Sequence, residues 1–149
     1  MPPSLRHQRI LARLFVILHH YLSAHGLEEL LWSPADISFD AHTLVQPDLF
    51  VADFGPVNQQ ARWSDLRQLF LVIEGVSPSS ATFDRGRKRA RYQEAGVPEY
   101  WIVDGDQRHV EIWTPDAQAP VIERERLVWQ HPALDDECVI DLVRLFDFG

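Results

Sequence analysis

An α+β fold, with helices flanking a mixed sheet, is what the sequence predicts, and three patterns carry that expectation. A long stretch at helical spacing opens the chain, unbroken apolar runs fill its middle, and a second helical stretch separates two of those runs. The first two-thirds therefore reads helix, three or four strands, helix, strand: an α-β-β-β-α-β core. With 149 residues, 46% of them hydrophobic, the chain is long enough for one core and short for two. Residues 1–149 are expected to form a single domain.

Leu5 to His25 sets Leu11, Leu14, Phe15, Leu18, Tyr21 and Leu22 on one side of a helix, and Gly26 suits a left-handed C-cap. Strand-like runs follow at Glu29 to Trp32 and Ile37 to Phe39, on either side of a turn composition at Ser33 to Asp36. Pro47 and Asp48 open the next run, which continues to Ala52. Val57 to Asp65 is polar and reads as a loop or short helix. Leu69 to Ile73 is apolar without alternation, the pattern of a strand covered on both faces, and it ends in Glu74.

Ser77 to Thr82 reads as a loop that hands over to a helix from Phe83 to Glu94, closed by Gly96. Tyr100 to Val103 is a further buried strand. Asp104, Gly105 and Asp106 signal a hairpin turn into Val110 to Trp113, and Pro115 with Asp116 starts another turn. Alternating strands are expected at Val121 to Glu125 and Leu127 to Trp129, and a short helix at Ile140 to Phe146.

A net charge of −8 argues against a general polyanion binder, whose affinity comes from neutralising phosphates. The charge is uneven, however: Arg85, Arg87, Lys88, Arg89 and Arg91 put five cations into seven residues, a local basic face able to meet a phosphate. A solvated helix face would have the same composition. The single cysteine, Cys138, excludes an internal disulfide framework and fits a reducing compartment, so a cytoplasmic location is expected. The apolar stretch Ile10 to Leu22 is broken by Arg13, His19 and His20, which suits neither a signal segment nor a membrane span. No nucleophile elbow, phosphate-binding Gly-Lys loop, dinucleotide fingerprint or zinc ribbon is written in the chain.

The residues that carry chemistry are Asp48, Glu74 and Lys88, the last being the only lysine. Phosphodiester hydrolysis needs a metal to polarise the phosphate and activate water, and Mg²⁺ or Mn²⁺ is held by hard oxygens. Asp48 and Glu74 at the ends of neighbouring strands supply them, with the Gly75 carbonyl as a further ligand. An ammonium nearby orients the attacking water or offsets developing charge. In a helix, Asp84, Lys88 and Tyr92 fall at i, i+4 and i+8 and share a face, while Arg85, Arg87 and Arg91 are placed for phosphate contacts. Asp84 also has a structural account as a first-turn carboxylate paired with Lys88, and Tyr92 as a core aromatic. Ser77 is a candidate phosphate contact before a helix N-terminus, or a cap. His19, His20 and His25 lack the i, i+4 repeat of a helical zinc pair.

Gln46-Pro47-Asp48, the segment Val72 to Ser80 with Glu74 inside it, Asp84 to Lys88, Tyr92, and Ala95 to Asp104 together resemble the Uma2 family, a restriction-endonuclease-like group. The resemblance covers residues 2 to 147 and is strongest from 46 to 104; Pro3 to Gln8 also resembles the segment that opens the family's long helix. It implies a PD-(D/E)XK nuclease fold, Asp48 and Glu74 as the motif acids, DNA as partner and substrate, and His7 as a contact to metal or phosphate, for which a solvated histidine at the helix terminus is the structural alternative.

Two departures stand out. Val76 occupies the place of the usual motif lysine, which makes Lys88, from the following helix, the candidate replacement. The family's N-terminal strand segment is also missing ahead of Pro3, and an uncovered sheet edge implies a homodimer. The expected activity is metal-dependent DNA endonuclease; the alternative is a degenerate nuclease fold that acts as a binding or dimeric interaction module.

Overall fold

The computed structural model describes residues 4–27, 29–32, 37–38, 44–55, 66–76 and 83–149, side chains excepted at 38, 44–45 and 83–85. The turn expected at Ser33 to Asp36, the stretch Val57 to Asp65, and the loop with Ser77 lie outside these residues. No helix among those described is long and apolar enough to cross a membrane.

Helix α1 (Leu5–Ala24) starts where Ser4 accepts the His7 N–H on its side chain and stops at Gly26, whose φ of 76° only a residue without Cβ adopts easily. Its buried stripe is Ile10, Leu14, Leu18, Tyr21 and Leu22. Strands β1 (Leu30–Trp32), β2 (Ile37–Ser38), β3 (Leu44–Val45) and β4 (Leu49–Asp53) follow, then β5 (Gln68–Val76). Helix α2 (Phe83–Glu94) crosses over to β6 (Glu99–Asp104), which turns into β7 (His109–Trp113) and β8 (Val121–Glu123). The chain ends in β9 (Arg126–Trp129), β10 (Cys138–Asp141) and α3 (Leu142–Leu145).

Among the described residues a six-stranded sheet has the order β1-β4-β5-β6-β7-β8. Strands β5 and β6 are parallel, as the α2 crossover requires, and the other neighbours are antiparallel. The sheet is therefore mixed. One face carries Val51, Leu71, Ile73, Trp101 and Val103 against α1 and the C-terminal segment. The other carries Phe50, Val72, Tyr100 and Ile102 beside Tyr92 and Val97. Leu71, Val72 and Ile73 are fully buried, and the lack of alternation in their run follows from cover on both faces.

The two long helices, the central strands and the Asp104 turn form as expected; Asp104 Oδ1 accepts the N–H groups of Asp106 and Gln107 to build that turn. Two elements differ. Leu44–Val45 is a strand that pairs with β2, which the sequence reading missed. The helix expected at Ile140 to Phe146 is a strand over Cys138–Asp141 and a helix only from Leu142 to Leu145. Cys138 and Ile140 are buried while Val139 and Asp141 are exposed, and pairing with β9 satisfies that period of two. Asp141 then caps α3, accepting the Arg144 N–H at 3.2 Å.

Candidate active site

Strand pairing brings the first two candidate residues together. Leu49 stands opposite Ile73 in the β4–β5 ladder, so Asp48, one residue before β4, reaches the level of Glu74 and Gly75. Asp48 Oδ2 accepts the Gly75 N–H at 2.9 Å, which fixes the carboxylate at the sheet end. Pro47 before it is buried, and Asp48 itself is part-exposed.

Glu74 is buried, at 4% exposure, in the middle of a polar cluster. Tyr100 donates its hydroxyl to Oε2 at 2.6 Å and Tyr92 donates to Oε1 at 3.3 Å. The two rings stack, their centroids 4.6 Å apart. Lys88 arrives from α2 and places Nζ 3.6 Å from Glu74 Oε1, with its side chain 45% exposed. Burial raises the carboxyl pKa of Glu74 above its ordinary 4.5, against the opposing charge of Lys88 and the tyrosine hydrogen bonds. Both tyrosine hydroxyls are in turn pushed well above the usual phenol range, first by burial and then by the charge of Glu74.

This arrangement has two measurable consequences. A folded-state pKa raised above the ordinary value means the folded protein holds the proton longer. The Glu74 contribution to stability is thus fully present below about pH 4.5 and is lost as pH rises through its folded pKa. Melting temperatures of wild type and Glu74→Gln, followed across pH, are expected to diverge in that direction. Tyr100→Phe removes the shorter bond to a buried carboxylate and is expected to cost about 2 kcal/mol, or roughly 4 to 8 °C in Tm. An unchanged Tm would show that water replaces the hydroxyl.

His7, from the first turn of α1, completes the visible cluster: its Nε2 lies 4.0 Å from Asp48 Oδ2, and its side chain is 14% exposed. The sequence placed it as a contact to metal or phosphate; the structure sets it beside the Asp48 carboxylate. Tyr92, a candidate substrate contact or core aromatic, is 1% exposed and turned toward Glu74. Tyr100 was missed altogether as a site residue. Its signal was the parallel register: Glu74 pairs with Ile102, so Tyr100, two residues earlier, lies on the same face.

The basic residues of α2 are less gathered. Arg87 is exposed and Arg91 half-buried, while Arg89 lies over the Trp113 ring, 4.5 Å from its centroid. Arg85 lies in the helix, its side chain among those not described, and Ser77 is outside the described residues. An open groove of about 640 Å³ runs from Asp48 and His7 along α1, past Phe15 and Trp32.

The donor set can be tested against a divalent cation. Among the described residues no three His, Cys, Asp or Glu side chains are grouped so as to hold a metal by themselves. Mg²⁺ and Mn²⁺ do not need such a cage, because they bind through one or two carboxylates and keep several waters. Asp48 is a part-exposed hard-oxygen donor, 35% open at the sheet end, and each Glu74 oxygen retains a lone pair beyond its tyrosine bond. The residues fit.

Comparison with known proteins gives the same direction. The Uma2 family model, described as "Putative restriction endonuclease", matches residues 1–142. A solved structure from Anabaena variabilis ATCC 29413, described as a "putative nuclease belonging to DUF820", superposes with a TM-score of 0.75 at 16% identity. The match covers 98% of this chain and 83% of that one, and the shared fold is restriction-endonuclease-like. No curated protein matches.

Proposed function

The chain belongs to the Uma2 family, and from that premise we propose that it is a metal-dependent endonuclease that hydrolyses phosphodiester bonds of DNA. The observation that carries this reading is the 3.6 Å approach of the only lysine to the buried Glu74, from a helix rather than from the strand position that Val76 occupies. The ammonium is only partly covered, so besides pairing with the carboxylate it faces the space where a substrate would lie. The flexible stem of lysine reaches one reaction centre from either element.

Asp48 and Glu74 would hold Mg²⁺ or Mn²⁺, with the Gly75 carbonyl as a further oxygen. When bound, the cation polarises the phosphate and lowers the pKa of a bound water. Asp48 is oriented through the Gly75 N–H, which its Oδ2 accepts. Tyr92 and Tyr100 hold the Glu74 carboxylate in one orientation and favour its charged form. Lys88 Nζ, part-exposed on the site side of α2, orients the attacking water and offsets charge that grows on the phosphate. Arg85, Arg87 and Arg91 on the same helix, and Ser77 before it, offer contacts to the flanking phosphates.

The direct test is nicking of supercoiled plasmid by purified protein with Mn²⁺ or Mg²⁺. Cleavage that appears with the cation and stops on adding chelator supports the reading; a pure, folded and metal-loaded protein that leaves the plasmid intact refutes it.

A further inference from the structure

Trp32 is the largest apolar side chain on the surface among the described residues, 59% exposed, and Val16 on the same groove is 64% exposed. Scattered apolar side chains on a surface need no account, but these two lie together beside the candidate site. Strand pairing puts Trp32 there: it stands opposite Leu49 in the β1–β4 ladder, one residue from Asp48. Its ring meets Phe15 of α1 edge-on, the centroids 5.1 Å apart, and Phe15 lies parallel to His19 at 5.7 Å and 5°. A series of flat rings thus follows α1 away from the strand-end carboxylate. Trp32 and Phe15 line the open groove of about 640 Å³, which reaches His7 and Asp48.

The lining discriminates between occupants. Beyond His7 and Asp48, the described residues that line the groove are apolar except Gln8, and no lysine or arginine is among them. A DNA duplex presents its phosphates outward and is held by cations, which this groove does not offer and a chain of net charge −8 does not replace. An unpaired strand turns the flat faces of its bases to the protein, and those stack on aromatic side chains whatever the sequence. The dimensions suit it as well. From His7 to Phe15 the helix rises about 12 Å, the length of three to four stacked nucleotides at roughly 3.4 Å each.

We infer that this groove holds the unpaired strand that leads away from the scissile phosphate at Asp48, with a base stacked on Trp32, and that the preferred substrate is single-stranded DNA instead of intact duplex. The inference rests on the nuclease reading of Asp48. Negatively supercoiled plasmid, whose torsion favours local opening of the duplex, is a substrate under either preference.

Fluorescence anisotropy tests the inference, with the full chain titrated into a fluorescein-labelled ten-nucleotide oligothymidine and into a labelled ten-base-pair duplex, Ca²⁺ standing in for Mg²⁺. Wild-type protein is expected to bind the single strand at least about tenfold more tightly than the duplex. Trp32→Leu, which keeps apolar bulk but no flat ring, is expected to weaken single-strand binding at least about fivefold, and Trp32→Phe to stay within about threefold of wild type. The ratio of wild type to Trp32→Leu should hold between about 50 and 200 mM salt, because stacking releases no counterions. Duplex bound as tightly as the single strand, or single-strand affinity unchanged in Trp32→Leu, overturns the inference. A dimer in sedimentation that Trp32→Leu dissociates, with oligothymidine affinity unchanged, overturns it in favour of a second copy on this face. Metal-dependent plasmid nicking that persists in these cases leaves the nuclease reading standing; its absence removes that reading separately. The wild-type comparison needs no variant, so a substitution that fails to fold does not shelter the inference.

Discussion

Asp48→Ala is expected to lose metal-dependent nicking of supercoiled DNA by at least about 10³-fold, because roughly 4 kcal/mol of charge stabilisation at the phosphate leaves with the cation. Its effect on folding should be much smaller. The residue is 35% exposed and, among the described residues, its backbone partner is the Gly75 N–H, so water takes over most of what the carboxylate did. About 1 kcal/mol is lost, a shift of roughly 2 to 4 °C in Tm. Asp48→Asn sharpens the result: the amide oxygen still accepts from Gly75, yet the anionic ligand is gone. Both variants should be folded and inactive. Wild-type nicking rates in either would remove Asp48 from the chemistry.

Lys88→Met comes second in size. Methionine keeps an unbranched stem of similar reach and deletes the charge, so loss of activity reports the ammonium and not the packing. A fall of about 10²- to 10³-fold in kcat is expected, the usual consequence of removing one electrostatic stabiliser from an active site. Mn²⁺ affinity should change little, since an ammonium is no metal ligand. Glu74 responds too: Lys88 is the largest influence that opposes the burial-raised carboxyl pKa, so its removal drives that pKa further up. Stability should stay within about 1 kcal/mol, because a pair with one half-exposed member contributes little. Unchanged single-turnover cleavage in Lys88→Met would leave the 3.6 Å contact a structural ion pair.

The central fold was legible because its periodicities are strong. Leu14, Leu18 and Leu22 state one helix face, and Leu71 to Ile73 state a strand covered on both sides. The start of the last helix was misjudged, with Ile140 and Asp141 in a strand, because a short apolar run suits either period and only the partner strand β9 decides. In the candidate site, Asp48, Glu74 and Lys88 were singled out by residue type and by the resemblance to Uma2, and the structure sets Lys88 at Glu74 and Asp48 at Gly75. Tyr100 was not, because from sequence it belongs to an ordinary buried run; its role depends on the parallel register with β5, which spacing along one strand does not encode. The seat of His7 on Gly75, where a Cβ would collide with the imidazole, was hidden for a similar reason. It joins residues 68 positions apart through a missing side chain, and an absent atom leaves no pattern.

Carrying the ammonium on α2 splits the candidate site between two mechanical parts. Asp48 and Glu74 are tied to the sheet core, which opens only when the whole molecule does, whereas a twelve-residue surface helix lies at the cheaper end of local opening. A transient lift of α2 withdraws Lys88 and one tyrosine from Glu74 while leaving the strand-end carboxylates in register. On the proposed nuclease reading, such a lift would leave the carboxylates able to hold a cation and take away the ammonium that acts on the phosphate. On that reading, the distance between binding DNA and breaking it is the docking of one helix.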